Sequence, residues 1–166
     1  MLASIASLVL AESYDHLANV LLGAGLRPFD TFTAPADMSV DRWYSQSHLP
    51  IDLAQAIVVS APRSTTEHKL FVEMGSFHGN SAVTWARALV RNQINGTLVC
   101  MDTWLGDAFM WDKKGAWLSQ DRNGVPRIYE QFMLNVRDRG VSHLILPLRL
   151  SATVGMSYLQ RRINAG

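Results

Sequence analysis

The chain has 166 residues, 48% hydrophobic and 17% charged, enough for one domain with a real core and too apolar for a disordered chain. Fifteen basic against fourteen acidic side chains leave a net charge of +1, so no electrostatic argument draws the chain to nucleic acid or an anionic membrane. The single cysteine, Cys100, cannot close an internal disulfide; its apolar surroundings predict a buried thiol, in keeping with a cytoplasmic protein.

The first ten residues are apolar, but no Lys or Arg precedes Arg27. The positive leader of a secretory signal is therefore missing, and the run is too short to span a bilayer. Leu10, Tyr14, Leu17 and Leu21 recur at helical spacing, with Gly23 and Gly25 as the stop. This predicts an amphipathic helix packed on the domain or on a partner, with a weak signal sequence as the lesser alternative. Residues 26–50 carry Pro28, Pro35 and Pro50 and read as an irregular connection with one short helical turn. Residues 51–60 read as a helix ended by Ala61-Pro62. The expected organisation is an N-terminal helical and irregular segment over 1–67 and an α/β half-domain over 68–166.

From residue 68 the pattern becomes regular. Apolar runs at 70–72, 97–101 and 144–146 read as strands, separated by a helix at 80–91 and by a second whose stripe is Ile128, Tyr129, Phe132, Met133 and Val136. Pro126 is expected in the first turn of that second helix, capped by Asn123 or Gly124, and Gly140 stops it. A further helix begins near Ser151. Between strand and helix lies a long Trp-, Asp- and Gly-rich segment at 103–124, of a length more often functional than accidental. The strand runs are continuously apolar, as in a parallel sheet covered on both faces. The alternation predicts right-handed βαβ units in a Rossmann-like open sheet of about three strands with flanking helices.

The sharpest constellation is Glu73-Met74-Gly75-Ser76-Phe77-His78-Gly79-Asn80-Ser81, directly after a strand and opening a helix. Gly75 permits a turn with positive φ, and Gly79 is read as letting the chain pass close to a ligand. The helix start offers free N–H groups and a positive dipole end, and open α/β sheets bind ligands at the carboxyl ends of their strands. Asp102 ends the second strand, 23 residues after Gly79. Its carboxylate suits a ribose diol; its plainer role is a turn cap in Asp102-Thr103-Trp104. The pairing with the glycine loop favours the ligand role.

These residues resemble a known family. Glu-x-Gly-x-x-x-Gly-x-Ser followed by Val99-Cys100-Met101-Asp102-Thr103-Trp104-Leu105-Gly106-Asp107 is similar to class I S-adenosylmethionine-dependent methyltransferases, and within them to the branch related to macrocin O-methyltransferases and cephalosporin-hydroxylase-like proteins. The resemblance spans about 68–160 and implies S-adenosyl-L-methionine as cofactor and a small-molecule hydroxyl, such as a sugar or polyketide, as acceptor. It implies Gly75, Ser76 and Gly79 around the methionine end, with Glu73, Phe77 and Ser81 of the same loop also among the cofactor-binding residues. Asp102 would then hold the ribose, with Thr103 and Trp104 beside the adenosine and Ser151 near the adenine edge. Family members continue with a fourth strand on the free side of the first, then metal ligands and the acceptor pocket. This chain is therefore expected to be truncated, to leave the 70–72 strand with a bare apolar edge, and to self-associate or need a completing chain. No catalytic base is legible, so a non-catalytic cofactor-binding fragment stands as the alternative.

Other candidates rank lower. His78 is read as a loop histidine before a base, and His48, His68 and His143 show no zinc spacing. Asp107, Asp112 and Asp121 fit no calcium loop. Trp104, Trp111, Trp117 and Phe109 are either a lid or apolar cover for the sheet. Phe77 stands where the dinucleotide pattern Gly-x-Gly-x-x-Gly requires glycine, which argues against an NAD-dependent oxidoreductase.

Overall fold

A computed structural model describes residues 8–11, 13–40, 51–60, 67–113, 120–121 and 123–164. Three parallel strands form its centre: β2 (His68–Met74), β3 (Gly96–Met101) and β4 (Ile145–Leu148). β2 is joined to β3 by α4 (Asn80–Arg91), and β3 to β4 by α5 (Ala108–Lys113) and α6 (Ile128–Asp138). The three strands pair in order, Leu70 against Thr97 and Leu98 against Ile145. The Rossmann-like α/β half-sheet expected from the apolar runs is present.

Alternation within the strands builds two cores, one on each face. Phe71, Leu98, Cys100 and Ile145 face one side, packing with Ala54 and Val58 of α3 (Ile51–Ser60), with α4 and with Phe132 and Val136 of α6. Leu70, Val72, Val99, Met101 and Leu146 face the other, packing on Leu17 and Leu21 of α1 (Tyr14–Leu22) and Leu159 of α7 (Ala152–Asn164). Fully burying each such leucine stabilises the fold by roughly 1.5–3 kcal/mol.

The N-terminal segment departs from its expected form. Leu10 is not on a helix but in a short strand, β1 (Leu8–Ala11), and α1 starts only after Ser13, whose side chain accepts from the His16 N–H at 3.1 Å. β1 pairs antiparallel with β2, Leu8 opposite Leu70 and Ala11 opposite His68. The edge expected to be bare is thus covered along the start of β2 by the chain itself. A lone apolar run has no preference between the two forms; the available edge decides it.

After α1 the chain straps the β4 edge and crosses from one face to the other. Tyr14 on α1 donates its hydroxyl to the Ile145 carbonyl at 3.4 Å. Phe29, in α2 (Pro28–Thr31), is buried on the opposite face, 6.5 Å from the Phe132 ring. Beyond it, Arg127 holds Asp37 with two bonds of 2.6 and 2.8 Å, which draws the exposed Asp37 carboxyl down to about 2. Pro147 is tolerated in β4 because that strand lies at the end of the sheet order. The Ala61-Pro62 helix stop, Pro50, His48 and Trp117 lie outside the described residues. Pro126 is not in the first turn of α6: it bridges Gln120, and Arg127 is the N-cap. Among the described residues no helix is long and apolar enough to cross a membrane.

Candidate functional site

The glycine loop leaves the carboxyl end of β2 and turns into α4. Gly75 has φ +82° and Gly79 φ +84°, a region open to glycine and costly for other residues. The Gly75 N–H donates to the Met101 carbonyl at 2.8 Å, tying the loop to the end of β3. The two glycines serve different needs. A Cβ on Gly75 would meet nothing within 4 Å, so this position opens on free space. A Cβ on Gly79 would stand 2.9 Å from Phe132 Cδ2 and 3.2 Å from Val136 Cγ2. The close approach expected at Gly79 is therefore to α6, not to a ligand, and it sets how tightly the start of α4 packs. Gly79 caps α4 without any side-chain bond.

Behind the loop Glu73 is wholly buried. Its Oε2 accepts from the Ser76 hydroxyl at 2.7 Å and from Cys100 Sγ at 3.6 Å. Oε1 has no donor in hydrogen-bonding geometry, although the Ser81 hydroxyl near the carboxyl favours its ionised form. Burial dominates and pushes the Glu73 pKa up; burial likewise pushes the Cys100 thiol up, as a buried inert thiol requires.

Asp102 follows β3 and joins the two loops. Its Oδ2 accepts from the Phe77 N–H at 2.9 Å and its Oδ1 from the Trp104 N–H at 2.7 Å. The turn-cap role is thus present, and each oxygen keeps a second lone pair. Thr103 is half-buried, its hydroxyl 3.4 Å from the Leu105 N–H. Trp104 is 1% exposed; its ring packs on Tyr129 at 5.0 Å and Phe132 at 4.9 Å, and its indole N–H donates to the Phe77 carbonyl at 2.8 Å. It supports the loop from beneath and has no open face for an adenosine. Ser151 is exposed and caps α7 through the Val154 N–H at 3.4 Å.

The remaining candidates separate by position. His78 stacks on Phe77 with ring centroids 3.8 Å apart. Phe109 and Trp111 are 67% and 44% exposed on α5, so among the described residues of the aromatic set Trp104 alone covers the sheet. Asp107 caps α5 through the Met110 N–H, and Asp121 accepts from the Asn123 and Val125 N–H groups, both in turn-forming roles. Among the described residues no group of His, Cys, Asp and Glu is placed to hold a metal ion.

Sequence reasoning missed Asn135. It is fully buried on α6 and donates to the His78 carbonyl at 2.9 Å, fixing the loop from the helix side. The available signal was an amide inside the Phe132–Val136 apolar stripe, where a buried polar group needs a partner. Comparison with curated proteins and with solved structures finds no match. Residues 72–153 match the family model of a methyltransferase domain, a span that runs from β2 to the start of α7 and contains every element of this site. The match supports a methyltransferase domain in this chain.

Proposed function

We propose that the chain binds S-adenosyl-L-methionine across the carboxyl ends of β2 and β3 and directs its methyl group to an oxygen of a small-molecule acceptor. The reading rests on one observation above the others: Gly75, whose missing Cβ leaves open space, is bonded to the end of the strand that Asp102 terminates. The residues fit the cofactor's chemistry. A carboxylate with unused lone pairs suits two ribose hydroxyls. The start of α4, capped by Gly79 with no side-chain bond, offers N–H donors, and a buried carboxyl with an orphan oxygen stands behind the methionine end.

When bound, the cofactor supplies a methyl group made electrophilic by its sulfonium. Asp102 accepts from the ribose while holding Phe77 and Trp104 in place. Gly75 and Ser76 leave room for the methionine end, Thr103 borders the nucleoside, and Ser151 lies toward the adenine edge. Phe77 and Trp104 orient the loop, since methyl transfer in line needs placement above all. The acceptor hydroxyl must also lose a proton, and His78 is the first side chain of the loop to substitute in seeking the base.

The test is formation of S-adenosylhomocysteine from S-adenosyl-L-methionine with a panel of sugar and phenolic hydroxyls, with the methylated atom located by NMR. An O-methyl product supports the reading; an N- or C-methyl product overturns the acceptor class. A second reading, binding without turnover, draws on the fact that both Asp102 oxygens already serve the loop. It is supported if the cofactor binds and no hydroxyl in the panel is methylated.

A further inference from the structure

We propose that the cavity between the N-terminal strap and the carboxyl end of β4 binds a small anionic molecule with an apolar body, whose charge is taken by Arg149. The cavity has a volume of about 310 Å³, at the lower end of the range for small-molecule sites. Leu26, Pro28 and Pro147 give it apolar walls, Tyr129 an aromatic one, and Arg27 and Arg149 its charge; among the described residues no acidic side chain lines it.

The two arginines differ. Arg27 is held by Asp15 at 2.7 and 2.9 Å, so its charge is answered. Arg149, directly after β4, has no carboxylate partner among the described residues; its guanidinium lies over the Tyr129 ring, 4.4 Å from the centroid. A cation held over an aromatic face keeps its charge and its fork of N–H donors, which match a carboxylate, phosphate or sulfonate. Leu26 is 56% exposed at the rim, a large apolar side chain awaiting cover. The volume suits a small molecule and not a peptide strand. Tyr129 also contacts Trp104, whose indole bonds to Phe77, so the cavity adjoins the glycine loop through two aromatic rings without sharing its residues.

Naphthalene-2-carboxylate is the probe, with naphthalene-2-carboxamide as its neutral counterpart and acetate as an anion without a body. Each is titrated calorimetrically into the full chain saturated with S-adenosylhomocysteine. The carboxylate should bind saturably, the carboxamide at least about tenfold more weakly, as for loss of a charge-assisted bond, and acetate without saturation. Arg149→Gln should weaken the carboxylate alone by about tenfold, and Arg149→Lys should restore part of it. Should Arg149→Gln fail to fold, Leu26→Glu at the exposed rim sets a like charge there and should weaken the carboxylate alone. Absence of saturable binding, equal affinity for carboxylate and carboxamide, or binding seen only without S-adenosylhomocysteine would each overturn the proposal. The outcome is independent of whether the glycine loop turns over an acceptor.

Discussion

Phe77 and Trp104 hold each other in a backbone conformation that neither residue type favours: φ is +44° at Phe77 and +53° at Trp104, and the Trp104 indole N–H donates to the Phe77 carbonyl at 2.8 Å. Asp102 closes the arrangement by accepting from both backbone N–H groups. Left-handed backbone at such residues costs about 1–3 kcal/mol each and persists where surrounding bonds enforce it, commonly at functional sites. Trp104→Phe keeps the buried ring and removes the donor. It should lower unfolding free energy by about 1 kcal/mol, with a larger relative loss in S-adenosylhomocysteine affinity. Urea unfolding and calorimetry on the same variant check this; an unchanged affinity would mean the bond serves only the core.

The two loop glycines should separate stability from binding. Gly79→Ala adds a methyl group against Phe132 and Val136 at φ +84° and should cost roughly 2–4 kcal/mol of stability. Gly75→Ala, at φ +82° with nothing within 4 Å, should cost only about 1–2 kcal/mol, while filling the space assigned to the cofactor. Denaturant midpoints and calorimetry on both variants decide it. Equal stability losses would remove the distinction drawn between them.

His68 gives the fold a pH dependence at the end of the sheet away from the site. Its ring is held between Asn95 Oδ1 at 2.9 Å and Thr97 Oγ1 at 2.8 Å, and burial lowers its pKa below 6.5. The unfolded chain takes up this proton near pH 6.5 and the folded chain only at lower pH. Stability therefore falls as pH drops below 6.5, by at most about 1.4 kcal/mol per pH unit, and levels off once the folded form protonates. Glu73 acts in the opposite sense: raised above 4.5, it stabilises below that pH and loses its contribution as pH rises. Comparing wild type with His68→Gln cancels the Glu73 effect, and the difference should narrow from pH 7.5 to 5. A constant difference would assign His68 no titration in this range.

Much of this was legible in the sequence, and the parts that were not share a cause. The buried strands announced themselves as continuous apolar runs such as Leu70–Val72, because both faces of the sheet are covered. The loop from Glu73 to Ser81 was legible because glycine, strand and helix signals are local. Leu8–Ala11 could not be read as a strand, since its pairing partner is a distant edge. The same holds for Gly79, constrained by Phe132 and Val136 of another helix, and for Trp104, a core residue that its loop setting presented as a ligand contact. Residues whose role is set by a partner far along the chain carry at most a partial local signature, as the amide of Asn135 does within its apolar stripe.

β1 replaces the expectation of a bare edge with a sharper one. Removing residues 1–11 should expose the start of β2, whose Leu70 and Lys69 backbone now pairs with Leu8 and Val9, and should produce dimers or larger assemblies. The full chain should not associate through this edge. Size-exclusion chromatography with light scattering distinguishes the two, and a monomeric deletion variant would show that β1 is dispensable.

The most direct measurement is a calorimetric titration of the full chain and of Asp102→Ala with S-adenosylhomocysteine and, in parallel, NAD. The account predicts saturable one-site binding of S-adenosylhomocysteine, none of NAD, and an affinity loss in Asp102→Ala worth about 1–3 kcal/mol, the cost of charge-assisted hydrogen bonds. A far-UV spectrum like that of wild type would assign that loss to binding and not to unfolding. Saturable heat from NAD with none from S-adenosylhomocysteine would contradict the account. An unaltered dissociation constant in Asp102→Ala would confine that carboxylate to holding Phe77 and Trp104.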